Sequence, residues 1–266
     1  MYKHHEESLE IMIDYFKNKF PDRDHIIALV FGGSVAKGIE RPDSDLDAMV
    51  IVTQEYFAKR KKMNSTSEVI DGLCTYEGGY FDIKYMTKDY IKAAAEKGSE
   101  PTRNSFIGSR VLFSKDSEIE NIVNDIPVFQ MWEKEDKQLS FYSALQMNYM
   151  YFWKMCEPEG YMKTHVAAEI VYMVYRLILQ ENHILFPSNR RLEETVQNIP
   201  NKPEGIVELC RKFCETQDND TCDQLVDIFT KWTSYKMPED ISTVTTRYQL
   251  DYEQWWMTPR PLINEW

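Results

Sequence analysis

Residues 31–52 read FGGSVAKGIERPDSDLDAMVIV, and this stretch decides the fold. The apolar run just before its glycines, HIIALVF at residues 25–31, has the length of a buried strand, and Gly32 and Gly33 end it. Apolar residues return over residues 46–53. The pattern predicts a strand, a glycine turn with a short connection, and a second strand.

Three aspartates in this part of the chain predict a metal site. Asp45 and Asp47 are two positions apart at the start of the second strand, so their side chains leave the same face. Two carboxylates held that close repel each other, and a counter-cation relieves the repulsion. Asp82 lies between Phe81 and Ile83 in a later predicted strand and would complete a carboxylate triad. Hard oxygen ligands combined with phosphates are what Mg²⁺ prefers, so we expect Mg²⁺ at these three aspartates.

The connection between the two strands carries groups suited to a phosphate. Gly33 lets the backbone approach a ligand without a Cβ in the way. A short helix that begins at Ser34 would point its amides and the Ser34 hydroxyl at the ligand. Lys37 and Arg41 lie in the same connection and would meet further phosphate oxygens. We therefore expect these four residues to bind a nucleotide.

A calcium-binding loop is the competing interpretation of Asp43, Asp45 and Asp47. The EF-hand loop requires a glycine at its sixth position and a glutamate at its twelfth. Counted from Asp43, these positions hold Ala48 and Gln54. The calcium-loop interpretation is therefore excluded, and Asp43 is predicted to be a turn residue.

The segment resembles the DNA-polymerase-β-like nucleotidyltransferase superfamily. Its Gly-Ser at residues 33–34 and its Asp-x-Asp at residues 45–47 match the signature of that superfamily, and Asp82 matches the third acid on a later strand. The resemblance implies a metal-dependent enzyme in which these acids are catalytic. It further implies that an NTP, with ATP the expected one, donates its nucleotidyl group and releases pyrophosphate.

The hydrophobic pattern of the sequence changes near residue 128. Before it, predicted strands alternate with helices, and after about residue 133 only helical patterns remain. This order predicts an α+β fold. We expect a nucleotidyltransferase domain over residues 1–127, with a mixed sheet flanked by helices, and an all-α acceptor-binding domain over residues 128–266. The predicted strands of the first domain span residues 25–31, 46–53, 69–76, 80–86 and 110–113.

The helical half looks like that of the small-molecule nucleotidyltransferases, which act on aminoglycosides and lincosamides. That resemblance implies a small-molecule acceptor and a role in antibiotic resistance. On a helix predicted over residues 163–186, His165, Glu169, Tyr172 and Arg176 form one polar stripe. Two interpretations stay open: Glu169 is the general base for the acceptor hydroxyl, or the stripe is a solvated helix face with supporting ion pairs.

Composition limits the partners. The net charge of −12 weighs against a long nucleic acid substrate, which lysines and arginines would have to grip. A negative field raises the local concentration of cationic ligands instead. No stretch approaches the roughly 20 apolar residues of a membrane span. Five cysteines, an odd number, are typical of a reducing compartment, so we expect a cytoplasmic protein.

Two other functions remain as alternatives. In the first alternative, the protein attaches AMP to a protein partner and so resembles the antitoxin-type nucleotidyltransferases. In the second alternative it is a non-catalytic nucleotide-binding module.

Overall fold

A computed structural model describes residues 1–257. The chain divides into two compact units, Met1–Val128 and Phe129–Trp266. The first unit contains a mixed five-stranded sheet, and the described part of the second unit is helical. This arrangement confirms the α+β class. Residues 258–266, the end of the expected helical domain, lie outside the described residues.

The sheet of the first unit has the strand order β3-β4-β2-β1-β5. Its central strands β2 and β4 run parallel, whereas the other neighbours are antiparallel. Parallel neighbours start at the same edge of a sheet, so residues at the beginning of β2 and β4 lie side by side. The strands are β1 (Ile26–Phe31), β2 (Leu46–Val52), β3 (Ser67–Asp71), β4 (Tyr80–Thr87) and β5 (Arg110–Ser114).

Helices cover both faces of this sheet. One face packs on the apolar side of the first helix, where Leu9 and Met12 are buried. The other face packs on Ile91 and Ile119 of two later helices. The six helices of the unit are α1 (Lys3–Asp14), α2 (Gly33–Lys37), α3 (Gln54–Lys62), α4 (Lys88–Lys97), α5 (Glu100–Ser105) and α6 (Ile119–Asp125).

Two elements of this unit differ from the prediction. The strand predicted over residues 69–76 ends at Asp71, because Gly72 adopts a left-handed conformation (φ 76°) and the chain then forms a loop over residues 72–79. Helix α5 was not predicted from the sequence. Ser99 caps it by accepting a hydrogen bond from the Thr102 amide, and a proline stands in its first turn.

The second unit is organised around a long helix that follows Glu159. Val166, Ile170, Val174 and Ile178 of this helix are completely buried in one apolar core. No helix among residues 1–257 has both the length and the apolarity that a membrane crossing needs. The helices are α7 (Lys134–Gln146), which continues as a π-helix over Met147–Met155, α8 (Gly160–Glu181), α9 (Asn189–Asn198), α10 (Ile206–Thr216), α11 (Asn219–Trp232) and α12 (Ile241–Tyr248).

The polar stripe on α8 runs from the surface into this core. Arg176 is completely buried, with its guanidinium 4.2 Å from the ring centroid of Phe186 and 4.4 Å from that of Phe141. It donates a hydrogen bond to the Tyr172 hydroxyl at 2.7 Å. The interpretation of the stripe as a solvated face is therefore wrong at its C-terminal end, where Arg176 is part of the packing.

Candidate active site

The structure brings the three aspartates together at one edge of the sheet. Asp47 on β2 and Asp82 on β4 are directly paired in the parallel register. Asp45 lies two residues before Asp47 and points to the same side. Each aspartate offers a carboxylate oxygen, and these oxygens lie within 4.8 Å of one another. All three side chains are half-buried, so each keeps part of its surface accessible to solvent.

Gly33 makes room for the Asp47 carboxylate. The Gly32 amide donates to the Asp47 carbonyl at 3.0 Å, which brings the glycine turn against the start of β2. Gly33 has a φ of 74°, and a Cβ built on it would lie 1.8 Å from Asp47 Oδ2. A glycine is therefore required here twice, once for the backbone conformation and once for the space.

Burial and the other carboxylates change the titration of Asp47. Burial, followed by the charge of Asp45 and then that of Asp82, raises the pKa of Asp47 to about 6 from an ordinary value of 3.8. Lys84 and Lys37 act in the opposite direction. Burial and the neighbouring carboxylates raise the pKa by more than the two lysines lower it, so the negative charge of the metal-free cluster is electrostatically unfavourable. A bound divalent cation would relieve this repulsion.

This raised pKa gives a pH-dependent prediction. In the metal-free protein the stabilising contribution of Asp47 is complete below about pH 3.8 and is lost as the pH rises to about 6. Mg²⁺ competes with the proton for this carboxylate, so we expect it to raise the unfolding temperature more at about pH 7.5 than at about pH 5. Thermal unfolding with and without Mg²⁺ measures the difference. Asp47→Asn should remove it, and an equal effect of Mg²⁺ at both pH values would contradict the prediction.

The basic residues near the cluster divide into two groups. The Lys84 ammonium lies 3.1 Å from Asp82 Oδ2. Lys37, at the end of α2, lowers the pKa of Asp47 and donates to Asn104 Oδ1 at 2.8 Å. The Arg41 guanidinium instead pairs with Asp43 at 3.1 Å, in a contact where both side chains are largely exposed. The fold thus places Lys84 and Lys37 within electrostatic reach of the aspartates and leaves Arg41 on an exposed turn.

Ser34 lies on α2, directly after Gly33, and is half-buried. The Gly33–Lys37 helix packs against β2, and its buried side chain, Val35, lies in the same apolar cluster as Leu46 of that strand. The helix begins at Gly33, one residue before the expected start at Ser34, and the role of Ser34 in binding a phosphate stays a prediction.

The donor set fits a divalent cation of the magnesium type. Asp45, Asp47 and Asp82 supply hard carboxylate oxygens, and a cluster of this charge within 4.8 Å is incompletely neutralised by the neighbouring lysines. Among residues 1–257, this is the one group of three or more acidic, histidine or cysteine side chains close enough to hold a metal ion.

Two residues beside the site were missed by the sequence analysis. Asn104 lies on α5 and accepts a hydrogen bond from Lys37. The sequence feature that could have predicted this helix is Ser99, which caps its N-terminus. Tyr80, at the start of β4, lies near the aspartates, since the charge of Asp45 is the main cause that raises its pKa. No local pattern marks Tyr80, because an aromatic residue at a strand end is ordinary.

Glu169 belongs to the second unit, on α8. Burial raises the pKa of its carboxylate, and the positive charge of His165, one turn earlier, lowers it to a smaller extent. The Glu169 charge in turn contributes to raising the pKa of Tyr248 and of Tyr252, whose rings stack at a centroid distance of 4.9 Å. Glu169 is thus a half-buried acid in an aromatic environment.

Comparison with known proteins gives a match over the N-terminal segment. Residues 9–97 match the family model described as "Nucleotidyltransferase domain". This segment includes the glycine turn and all three aspartates. No curated protein matches the chain.

Two solved structures are similar to the chain at low identity. One is a nucleotidyltransferase-like protein from Exiguobacterium sibiricum 255-15, with 10% identity, a TM-score of 0.44, and coverage of 98% of this chain and 84% of that chain. The other is the spectinomycin adenyltransferase AAD(9) from Enterococcus faecialis with ATP and spectinomycin, with 9% identity, a TM-score of 0.33, and coverage of 92% of this chain and 98% of that chain. At these TM-scores neither likeness bears on the activity of this chain.

The family match and the carboxylate cluster agree with each other. The matched model covers the residues that carry the Gly-Ser and Asp-x-Asp signature, and the fold places the third acid, Asp82, beside them. Residues 9–97 of the chain are therefore a nucleotidyltransferase domain, and the three aspartates lie within it.

Proposed function

We propose that the protein transfers AMP from ATP to a hydroxyl group of a cationic, aminoglycoside-like small molecule, with Mg²⁺ as cofactor and pyrophosphate as the second product. The observation that carries this proposal is the cluster of Asp45, Asp47 and Asp82, with carboxylate oxygens within 4.8 Å, inside a matched nucleotidyltransferase domain. A cationic acceptor is supported by the net charge of −12.

The residues of the first unit have the following proposed roles. The three aspartates would hold Mg²⁺, which when bound neutralises charge on the phosphates and on the leaving pyrophosphate. The amides of Gly33 and Ser34 and the Ser34 hydroxyl would donate hydrogen bonds to the phosphates at the turn, and Lys37 adds a positive charge beside them. Arg41 is the weakest member of this set, because its guanidinium already pairs with Asp43 on an exposed turn.

The transfer itself exchanges one phosphorus–oxygen bond for another. The acceptor oxygen forms a bond to the α-phosphorus, and the bond from that phosphorus to the α,β-bridging oxygen breaks. The electron pair of the broken bond leaves with pyrophosphate. The hydroxyl proton passes to Glu169, which we assign as the general base, and Asp82 assists the acceptor hydroxyl.

We also propose residues 128–266 as the acceptor-binding domain. The support is its resemblance to the helical half of small-molecule nucleotidyltransferases. Transfer to an aminoglycoside would make the protein an antibiotic-resistance enzyme. The odd number of cysteines supports a cytoplasmic location.

Glu169→Gln tests the assignment of the base. A base is more effective when its pKa is closer to the working pH, and burial shifts the pKa of Glu169 in that direction. We expect kcat to fall by about 10²-fold or more, the lower end of the usual contribution of a general base. ATP affinity should not change. Glu208→Gln, on the exposed side of α10, is the matched control and should leave kcat unchanged.

The proposed acceptor is tested by a screen with α-³²P-labelled ATP. Aminoglycosides, lincosamides and other hydroxylated small molecules are incubated with the protein and Mg²⁺, and pyrophosphate release is measured. Label in a small soluble product that depends on the added compound supports the proposal. Label on a protein of a cell lysate would favour AMP transfer to a protein partner, and ATP binding without any turnover would favour the non-catalytic alternative.

A further inference from the structure

Tyr76 connects the loop before β4 to the residue that precedes Asp45. Its hydroxyl donates a hydrogen bond to the Ser44 carbonyl oxygen at 2.5 Å. That carbonyl belongs to the peptide group that joins Ser44 to Asp45. Tyr76 therefore fixes the backbone at the point where the chain delivers the Asp45 carboxylate to the cluster.

The Ser44 carbonyl is presented by a turn that is itself well tied. The Ser44 amide donates to the Arg41 carbonyl at 3.1 Å, and the Arg41 amide donates to Ser44 Oγ at 2.9 Å. Pro42 at the second position of the turn presets its backbone. His4 Nε2 lies 2.9 Å from the Pro42 carbonyl. These contacts hold the turn together, whereas Tyr76 determines where its last peptide group points.

The Tyr76 ring is held independently of its hydroxyl. Its centroid lies 4.6 Å from that of His4 and 5.0 Å from that of His5. Gly79 leaves the space that the ring occupies, because a Cβ on this glycine would lie 2.6 Å from two atoms of the ring. The preceding residue, Thr75, is anchored by its amide to Ser8 Oγ at 2.9 Å. Removal of the hydroxyl alone would therefore leave the ring in place.

We propose that Tyr76 is a positioning residue for Asp45. Asp45 must stay close to Asp47 and Asp82 although their charges repel it, and its backbone would otherwise relax away from them. The hydrogen bond to the Ser44 carbonyl orders the backbone at Asp45 when the protein folds. Metal binding then loses less conformational entropy. This inference rests on the proposed role of the three aspartates as metal ligands.

The test is Mn²⁺ binding to the full-length protein without nucleotide, measured by electron paramagnetic resonance of free Mn²⁺. Tyr76→Phe removes only the hydroxyl, and we expect it to weaken Mn²⁺ binding about tenfold, the effect of losing one well-made hydrogen bond. Gly79→Ala displaces the ring and should weaken binding at least as much. In the assay of AMP transfer, the Mg²⁺ concentration for half-maximal rate should rise for Tyr76→Phe, and excess Mg²⁺ should restore kcat.

Tyr85→Phe is the matched control. Tyr85 also lies in this unit, on the face of β4 opposite Asp82, and its hydroxyl donates to Glu68 at 3.0 Å. Its Mn²⁺ affinity should equal that of the wild type. Equal affinity of Tyr76→Phe and wild type would overturn the inference, as would an equal loss in both Tyr→Phe variants. If the wild type itself bound no Mn²⁺, the carboxylate metal site would fall, and this inference with it.

Discussion

Asp47→Asn is expected to lower the rate of the proposed AMP transfer by at least about 10³-fold, which corresponds to about 4 kcal/mol of transition-state stabilisation. Asparagine keeps the shape of the side chain and its place beside Gly33 but loses the charge. Asp47 is paired with Asp82 across the strands and lies two residues from Asp45, so its loss affects the whole cluster. Initial rates of pyrophosphate release measure the effect, and Mn²⁺ binding shows whether the metal is lost.

The control for this substitution is Asp43→Asn in the same stretch. Asp43 is exposed, and its partner across the turn is Arg41. An exposed ion pair contributes little, so we expect the rate to change by less than about twofold. A loss of activity in Asp43→Asn comparable to that in Asp47→Asn would mean that the acidic run acts as a whole, and a rate for Asp47→Asn within tenfold of the wild type would contradict the metal site.

Gly33→Ala is the second substitution with a large expected effect. The new methyl group would lie 1.8 Å from Asp47 Oδ2, and the φ of 74° disfavours any residue with a Cβ. The strain should lower the free energy of unfolding by about 1–2 kcal/mol. The Asp47 carboxylate must move by about an ångström, and such a misplacement of a reacting group costs about 10²-fold in rate. Urea unfolding and pyrophosphate release measure the two effects separately.

Gly38→Ala separates the backbone strain from the contact with Asp47. Gly38 ends α2 with a φ of 72°, but a Cβ there would meet nothing within 4 Å. Both variants should lose stability through the backbone strain, Gly33→Ala the more because of its contact with Asp47, and only Gly33→Ala should lose the metal-dependent activity. Similar rates in both would show that the space beside Asp47 is not what Gly33 provides.

The aspartates could be found from the sequence because their signals are local. The period of two in a strand places Asp45 and Asp47 on one side, and the apolar neighbours of Asp82 mark it as a strand residue. The pairing of Asp47 with Asp82 could not be predicted, because register between distant strands depends on the whole sheet. The fold class followed from the alternation of short apolar runs with helical patterns.

Tyr76 was placed incorrectly for a physical reason. The run of residues 69–76 has aromatic and β-branched residues, which favours a strand. In the structure, contacts with α1 decide its conformation: Thr75 bonds to Ser8, and Tyr76 packs on His4 and His5. These partners are about 70 residues away in the sequence, and no local pattern reports such contacts. Helix α12 was missed because its threonines and valine have low helix propensity.

Because β2 and β4 are parallel, the cluster can assemble only after a long segment of chain has closed on itself. Asp47 and Asp82 are 35 residues apart in the sequence and adjacent in the sheet. The chain loses conformational entropy when this loop closes, before the pairing of the two strands contributes favourable energy. Non-local pairings of this kind slow folding. The unfolded chain therefore offers a cation the neighbouring Asp45 and Asp47 without Asp82 beside them. Metal that binds only after the sheet has formed would lower the rate of unfolding and would leave the early steps of folding unchanged.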